Sequence, residues 1–440
     1  MSIRKTVLSC LAVIAGCAPQ PATRIVPVRT PLESLRRSID SLVNEPKFAR
    51  ANLGFLVVDP LTGDTLYSHN AGKLFMPASN QKILTSTVAL AQLGPEYRFA
   101  TTFVTRGKIA NGVLEGDLIV IGRGDPTVSD RVKGNAMAFM QSVADSVVAR
   151  GIHRINGSVR AGGNAFPDSI YGYGWEWDDI HGESAAPVDE LEFNEGMIQH
   201  TVHVGGRDTL VAIATESPTN SYLDALTSGL VKRGVVLSES KALTGFDSLT
   251  TPLDTIYKFY SPPLRDILKP FLKPSQNQIG EALIKTLGLE KTGVGMTDSG
   301  AVVMKRQLAA WGIDSMSTVI YDGSGMSRHD LVTPEAIVKI LIGIQRDPSF
   351  AAFYDALPIA GVDGTVRTRM VGTVAANNIH AKTGTLEFVR SLSGYVTTAV
   401  GEKLVFSMLS NHYTGPVADV TRLQDQIGVL LATYRGRATQ

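Results

Sequence analysis

Strand-forming stretches stand at both ends of the chain, with helical patterns between them, and this constrains the fold most. "ANLGFLVVDP" (51–60) is an apolar strand, "LTGD" a turn and "TLYSHN" an alternating second strand. "FMPASNQKILTSTVAL" (75–90) then begins a helix. Near the other end, "IHAKTGTL", "RSLSGYVTTA" and "KLVFSMLSN" alternate as strands, and "VADVTRLQDQIGVLLATYRG" is a helix. After residue 260, "PPLRDILKPFLKPSQNQIGEALIKTLGLE", "SGAVVMKRQLAAWGI" and "TPEAIVKILIGIQRD" carry amphipathic helical spacing. The chain thus opens and closes with strands of one α/β domain.

Residues 99 to about 250 differ. They hold short strands with Gly and Asn turns ("FATTFVTRGKIANGVLEGDLIVIG", "RINGSVRAGG", "HTVHVGG", "TLVAIATES"), interrupted by one helical stretch, "AMAFMQSVADSVVARG". This is the pattern of one or two β-rich units inserted into the first domain. With 440 residues, the chain exceeds the roughly 250–300 at which one hydrophobic core stops growing. The expected map is a main domain from 33–98 and 251–440, an insert at 99–180 and a second insert at 181–250.

The first residues read as an export signal, 1–16. Arg4 and Lys5 precede an apolar run from Val7 to Ala15 that is too short to span a bilayer. Ile14-Ala15-Gly16-Cys17 resembles the lipobox of bacterial lipoproteins, which makes Cys17 the lipidation site and anchors the protein to a membrane. The alternative is a plain secretory signal with an incidental cysteine. Cys10 leaves with the signal, so the mature chain has no disulfide. The proline-bearing stretch 17–32 reads as a tether. A formal net charge of +1 gives no electrostatic footprint for nucleic acid.

Three short patterns bear on chemistry. Ser79 and Lys82 lie three residues apart at a helix start, on one face and beside free N–H groups. Read one way they are a cap and a solvated charge; read another, a nucleophile and its base. A lysine acts as base only when neutral, and lowering its pKa from about 10.4 to about 7 costs roughly 4.6 kcal/mol. Burial and a second nearby cation would supply that shift. Ser275 and Asn277 in "KPSQNQIGEAL" precede a later helix. They suit a proton relay and an amide that holds a peptide, although Ser275 with Gln278 also spells a capping box. Lys382, Thr383, Gly384 and Thr385 lie in alternating, strand-like context. A glycine at a strand edge lets a substrate backbone approach, and Lys382 is the second cation the first pattern asks for. Lys291-Thr292-Gly293 repeats the letters in a Gly-rich turn and reads as a loop after a helix ending at Gly288.

S-x-x-K at a helix start, S-x-N before a later helix and K-T-G on a late strand form the serine acyl-transferase set of β-lactamases and penicillin-binding proteins. The chain resembles the D-alanyl-D-alanine carboxypeptidases/endopeptidases, the class C low-molecular-mass penicillin-binding proteins. About 200 residues separate Ser79 from Ser275, similar to that family's habit of inserting domains after the nucleophile helix. Further segments similar to the family are "IGRGDPTV", "GYGWEWDD", "LEFNEG", "YDGSGMSRHDLVTP" and "LPIAGVDGTVRTR".

The resemblance implies a β-lactamase/transpeptidase-like domain, α/β (α+β), in which helices flank an antiparallel sheet. It implies Ser79, Lys82 and Ser275 as catalytic residues and Asn277, Lys382, Thr383, Gly384 and Thr385 as substrate-binding ones. The implied substrate is a peptidoglycan stem peptide, and β-lactams are the implied inhibitors. No cofactor or metal is implied. The implied location is the periplasm, with the outer membrane favoured over the inner. The middle of S-x-N is Gln276 where Asp is common, a departure that is compatible with catalysis. Rival readings are a β-lactamase or esterase of the same chemistry and a non-catalytic cell-wall-binding lipoprotein.

Other features carry less. Gly122-Arg123-Gly124 follows a strand but lacks the third glycine of a dinucleotide loop. His200 and His203 in "HTVHV" point to opposite faces of a strand, so they do not chelate a metal. Trp175, Trp177, Tyr171 and Tyr173 suit a core or domain-seam role more than glycan stacking.

Overall fold

A computed structural model describes residues 30–239, 243–247 and 252–436. The expected signal 1–16 and Cys17 lie outside the described residues, as does the tether up to residue 29. No helix among the described residues is long and apolar enough to cross a membrane.

The two ends of the chain build one antiparallel five-stranded sheet. Its order is Thr65–His69, Asn52–Val58, Lys403–Asn411, Val389–Thr397 and His380–Leu386, with the last at the edge. Side chains alternate across it. Leu56, Val58, Val405 and Leu409 face helices Gln81–Leu93, Gln278–Thr292 and Pro334–Gln345. Phe55, Val57, Leu404, Phe406 and Met408 face helices Pro31–Val43 and Val417–Thr433. A core thus lies on each side of the sheet, and the helices cover both faces.

Helix Pro31–Val43 begins inside the stretch that reads as a tether. Pro31 occupies its first turn, and Thr30 and Glu33 close a capping box, 3.2 Å and 3.0 Å. A proline at that position starts a helix as readily as it stiffens a linker.

The insert leaves and re-enters at a neck. Strand Ala100–Thr105 pairs antiparallel with Asp254–Tyr260, and the Ser261 N–H donates to the Phe99 carbonyl. That second strand lies in the stretch expected to belong to the main domain. Both expected inserts contribute to one hydrophobic cluster, which joins Phe103, Val120, Met140 and Ile155 with Leu191, Leu223, Leu226 and Ile256. Helices Ala136–Ala149 and Pro218–Lys232 pack against each other over this core. A hairpin, Met197–Val204 with Arg207–Ala214, forms its own two-stranded sheet; there His200 and His203 alternate across the strand, and His203 pairs with Asp208.

Candidate active site

Ser79 lies in a single 3-10 turn, Ala78–Asn80, that feeds helix Gln81–Leu93. Ala78 has φ 48°, a left-handed conformation that turns the chain sharply into the serine. Lys82 is wholly buried one turn on. Its Nζ lies 3.0 Å from Ser79 Oγ, 2.6 Å from Asn277 Oδ1 and 2.8 Å from the Ser324 carbonyl. An ammonium would donate to all three acceptors. A neutral amine has only two hydrogens. With those on Asn277 and Ser324, its lone pair is left for the Ser79 hydroxyl. Burial lowers the Lys82 pKa to about 7, against the opposing charges of Asp322 and Glu281.

Ser275 and Asn277 precede helix Gln278–Thr292, but the capping box is not formed. Ser275 has φ 69°, and its hydroxyl accepts from Lys382 Nζ at 2.8 Å. Asn277 is the residue before the helix and makes no cap; its side chain turns to Lys82. Asn277 Nδ2 donates to the Ser184 carbonyl of the insert at 2.7 Å.

Lys382, Thr383, Gly384 and Thr385 lie on the edge strand His380–Leu386. Lys382 is fully buried, with its pKa pushed well down by burial first and the charge of Lys82 second. For Lys82 itself burial, not a second cation, is the main cause, because the interior already disfavours its charge. Gly384 abuts the serine turn: a Cβ there would meet Ser391 Oγ at 2.0 Å, the Pro77 carbonyl at 2.6 Å and Ser79 N at 3.0 Å. Thr383 Oγ1 donates to Thr365 Oγ1 at 2.7 Å, and Thr385 Oγ1 accepts from Arg390. The decoy letters sit elsewhere. Lys291 and Thr292 end a helix that runs past Gly288, and Gly293 (φ 80°) follows it as the left-handed cap.

Sequence reasoning gave no role to the loop 322–327. Asp322, fully buried, accepts from the N–H groups of Ser324, Gly325 and Ser327 and from Trp175 Nε1. That fixes the Ser324 carbonyl on Lys82. Glu281 and Asp330 are buried nearby; burial and the charge of Asp322 raise the pKa of Glu281 to about 8 and that of Asp330 well above the usual range. The signal was an Asp-Gly-Ser-Gly turn.

A model of the D-Ala-D-Ala carboxypeptidase 3 (S13) family matches residues 35–209 and 204–434. The chain belongs to this family. It is therefore a serine-type peptidase and a class C low-molecular-mass penicillin-binding protein. A D-alanyl-D-alanine carboxypeptidase of Actinomadura is 30% identical over 470 residues, covering 92% of this chain and 86% of that one. The D-alanyl-D-alanine carboxypeptidase DacB of Haemophilus influenzae is 28% identical over 437 residues, 84% of this chain and 88% of that one. The solved penicillin-binding protein 4 of Haemophilus influenzae has the same fold, with TM-score 0.76 at 24% identity over 90% of this chain and 99% of that one. A second structure of that protein, complexed with a β-lactam, gives TM-score 0.72 at 25% identity over 90% of this S13 chain and 100% of that one.

Proposed function

We propose that Ser79 attacks the carbonyl of the penultimate D-alanine of a peptidoglycan stem peptide, with Lys82 as its base. The lone pair of Lys82, left free by Asn277 and Ser324, takes the hydroxyl proton as the Ser79 Oγ–carbon bond forms. The backbone N–H groups of Ser79 and Thr385 hold the oxyanion. Ser275, hydrogen-bonded to Lys382, passes a proton to the departing amine as the peptide bond breaks. Water then releases the acyl group from Ser79. Asn277 and the edge strand 382–385 hold the substrate backbone. When the leaving amine belongs to a cross-linked neighbour, the same steps make the enzyme an endopeptidase. β-Lactams enter by the same route and acylate Ser79.

The observation that carries this reading is the set of three acceptors around the buried Lys82 Nζ, one of them Ser79 Oγ. The test is labelling with fluorescent penicillin, wild type against Ser79→Ala, with mass mapping of the adduct. A single adduct on the peptide containing Ser79 is expected. No adduct would favour a non-catalytic wall-binding protein, and rapid penicillin turnover a β-lactamase.

We infer that the enzyme is exported and works in the periplasm, where its wall substrate lies. Acylation of Cys17 would hold it at a membrane, the outer one favoured. Palmitate labelling of the wild type and of Cys17→Ala tests that anchor.

A further inference from the structure

The insert reaches the surroundings of Lys82. Two of the three acceptors around Lys82 Nζ are held from behind by one of its stretches. The Ser184 carbonyl accepts from Asn277 Nδ2 at 2.7 Å. That bond fixes which way the amide faces, so that Oδ1 is the atom turned to Lys82. The Glu183 carbonyl, one residue back, accepts from Gln278 Nε2 at 2.7 Å, and the Glu183 carboxylate pairs with Arg131 of the insert. On the other side, Trp175 Nε1 donates to Asp322 Oδ2 at 3.0 Å, and Asp322 gathers the loop whose Ser324 carbonyl meets Lys82.

The same stretch grips that loop at further points. Tyr173 packs its ring against Tyr321 and His329, with centroids 5.0 Å and 5.2 Å apart. Glu176 pairs with Arg328 at 2.6 Å. Gly174, at φ 76°, lies so close to His329 that a Cβ would stand 2.2 Å from its ring. A surface decoration would not need so close a fit to a loop beneath the base.

We propose that residues 173–184 of the insert are a positioning element for the general base, in which Trp175, through Asp322 and the Ser324 carbonyl, and Ser184, through Asn277, aim the Lys82 amine at Ser79. The inference rests on the reading of Lys82 as base, and it gives the insert a part in acylation. Trp175 is a positioning residue, because it touches neither substrate nor the reacting atoms.

The test is the rate constant for acylation by penicillin, followed on both sides of neutral pH, with the melting temperature measured alongside. Asp322 and Glu281 raise the Lys82 pKa, Asp330 lies behind Asp322, and Lys382 is the other amine in the site. Trp175→Phe removes one N–H and keeps most of the ring's bulk. It should slow acylation on the order of tenfold, as small misalignments of reacting groups do. It should also move the acid limb of the profile to higher pH, because the Asp322 charge loses a donor that offsets it. Asp322→Asn removes the charge and should move the limb to lower pH. Opposite shifts support the proposal. A Trp175→Phe enzyme with the wild-type rate and limb overturns it, as does a loss of rate equal at every pH that follows a lowered melting temperature. If Asp322→Asn does not fold, Trp175→Phe alone decides. If the wild type takes no penicillin at Ser79, the function reading fails instead.

Discussion

Asn80 Nδ2 donates to the main-chain carbonyl of Lys382 at 2.9 Å, across 302 residues of chain, and so ties the residue after Ser79 to the edge strand. Both partners are fully buried. The bond sets the gap between serine turn and strand, where the proposed mechanism seats the substrate backbone. Asn80→Ala should leave the Lys382 carbonyl without this donor, at a cost of roughly 1–3 kcal/mol. Denaturant unfolding will read that loss. Penicillin acylation should slow as well, because the edge strand is no longer held to the turn.

Lys82 makes rate and stability depend on pH in a linked way. Its folded pKa is about 7, below the roughly 10.4 of an exposed lysine. Acylation needs the neutral amine, so its rate should climb as pH rises through about 7 and then level. Stability follows the number of protons bound in each state. Between pH of about 7 and 10.4 the unfolded chain holds a proton that the folded chain lacks, so stability rises with pH across that window and is flat below it. Lys82→Met should abolish acylation, and its stability relative to wild type should fall as pH rises across that window, since it removes the group whose loss of a proton on folding produces the wild-type rise. Thermal scans of both proteins across the window check the sign.

Gly384 is glycine because nothing larger fits. A methyl group there would press on Ser391 Oγ and the Pro77 carbonyl, and the Ser391 hydroxyl already donates to that carbonyl at 2.7 Å. Gly384→Ala must push the edge strand away from the serine turn, at a cost of about 1–3 kcal/mol of overpacking. Acylation should fall by more than stability does, because the displaced strand carries Lys382 and the Thr385 N–H. Comparing the penicillin acylation rate with the unfolding free energy of this variant separates the two effects.

Much of the site was legible because its chemistry is spelled in short local words. S-x-x-K puts a hydroxyl and an amine on one helical face at any helix start, and a strand with K-T-G offers its glycine whatever lies opposite. The two-ended sheet was legible for a similar reason: alternation is a local property. The contacts that make the site work are not local. Nothing in the sequence near Asn277 says that its amide meets the Ser184 carbonyl, and Asp322 reads as an ordinary turn acid until the loop is seen beneath Lys82. The left-handed Ala78 and Ser275 were hidden too, since neither is a residue type that favours positive φ. Ser275 and Gln278 spelled a cap, but tertiary contacts took both side chains: Lys382 claims the hydroxyl, and the insert claims the amide.

The insert is fastened to the helix after Asn277 by an ion pair whose lysine is buried. Lys285 Nζ lies 2.7 Å from Asp168 Oδ1, with 4% and 14% of the two side chains exposed, and it also donates to the Ser169 carbonyl at 2.7 Å. Asp168 in turn accepts from the Thr297 N–H at 2.8 Å. Removing Asp168 leaves the buried Lys285 ammonium without its carboxylate, which costs far more than the pair contributes. Asp168→Ala should therefore destabilise by about 3 kcal/mol. Lys285→Met in the same chain should restore part of that loss, because the stranded ammonium is gone. Unfolding of the two single variants and the double variant gives the coupling directly. If the two losses simply add, the pair does not fasten the insert, and the docking of 168–184 rests instead on the side-chain amides of Asn277 and Gln278, which donate to the Ser184 and Glu183 carbonyls.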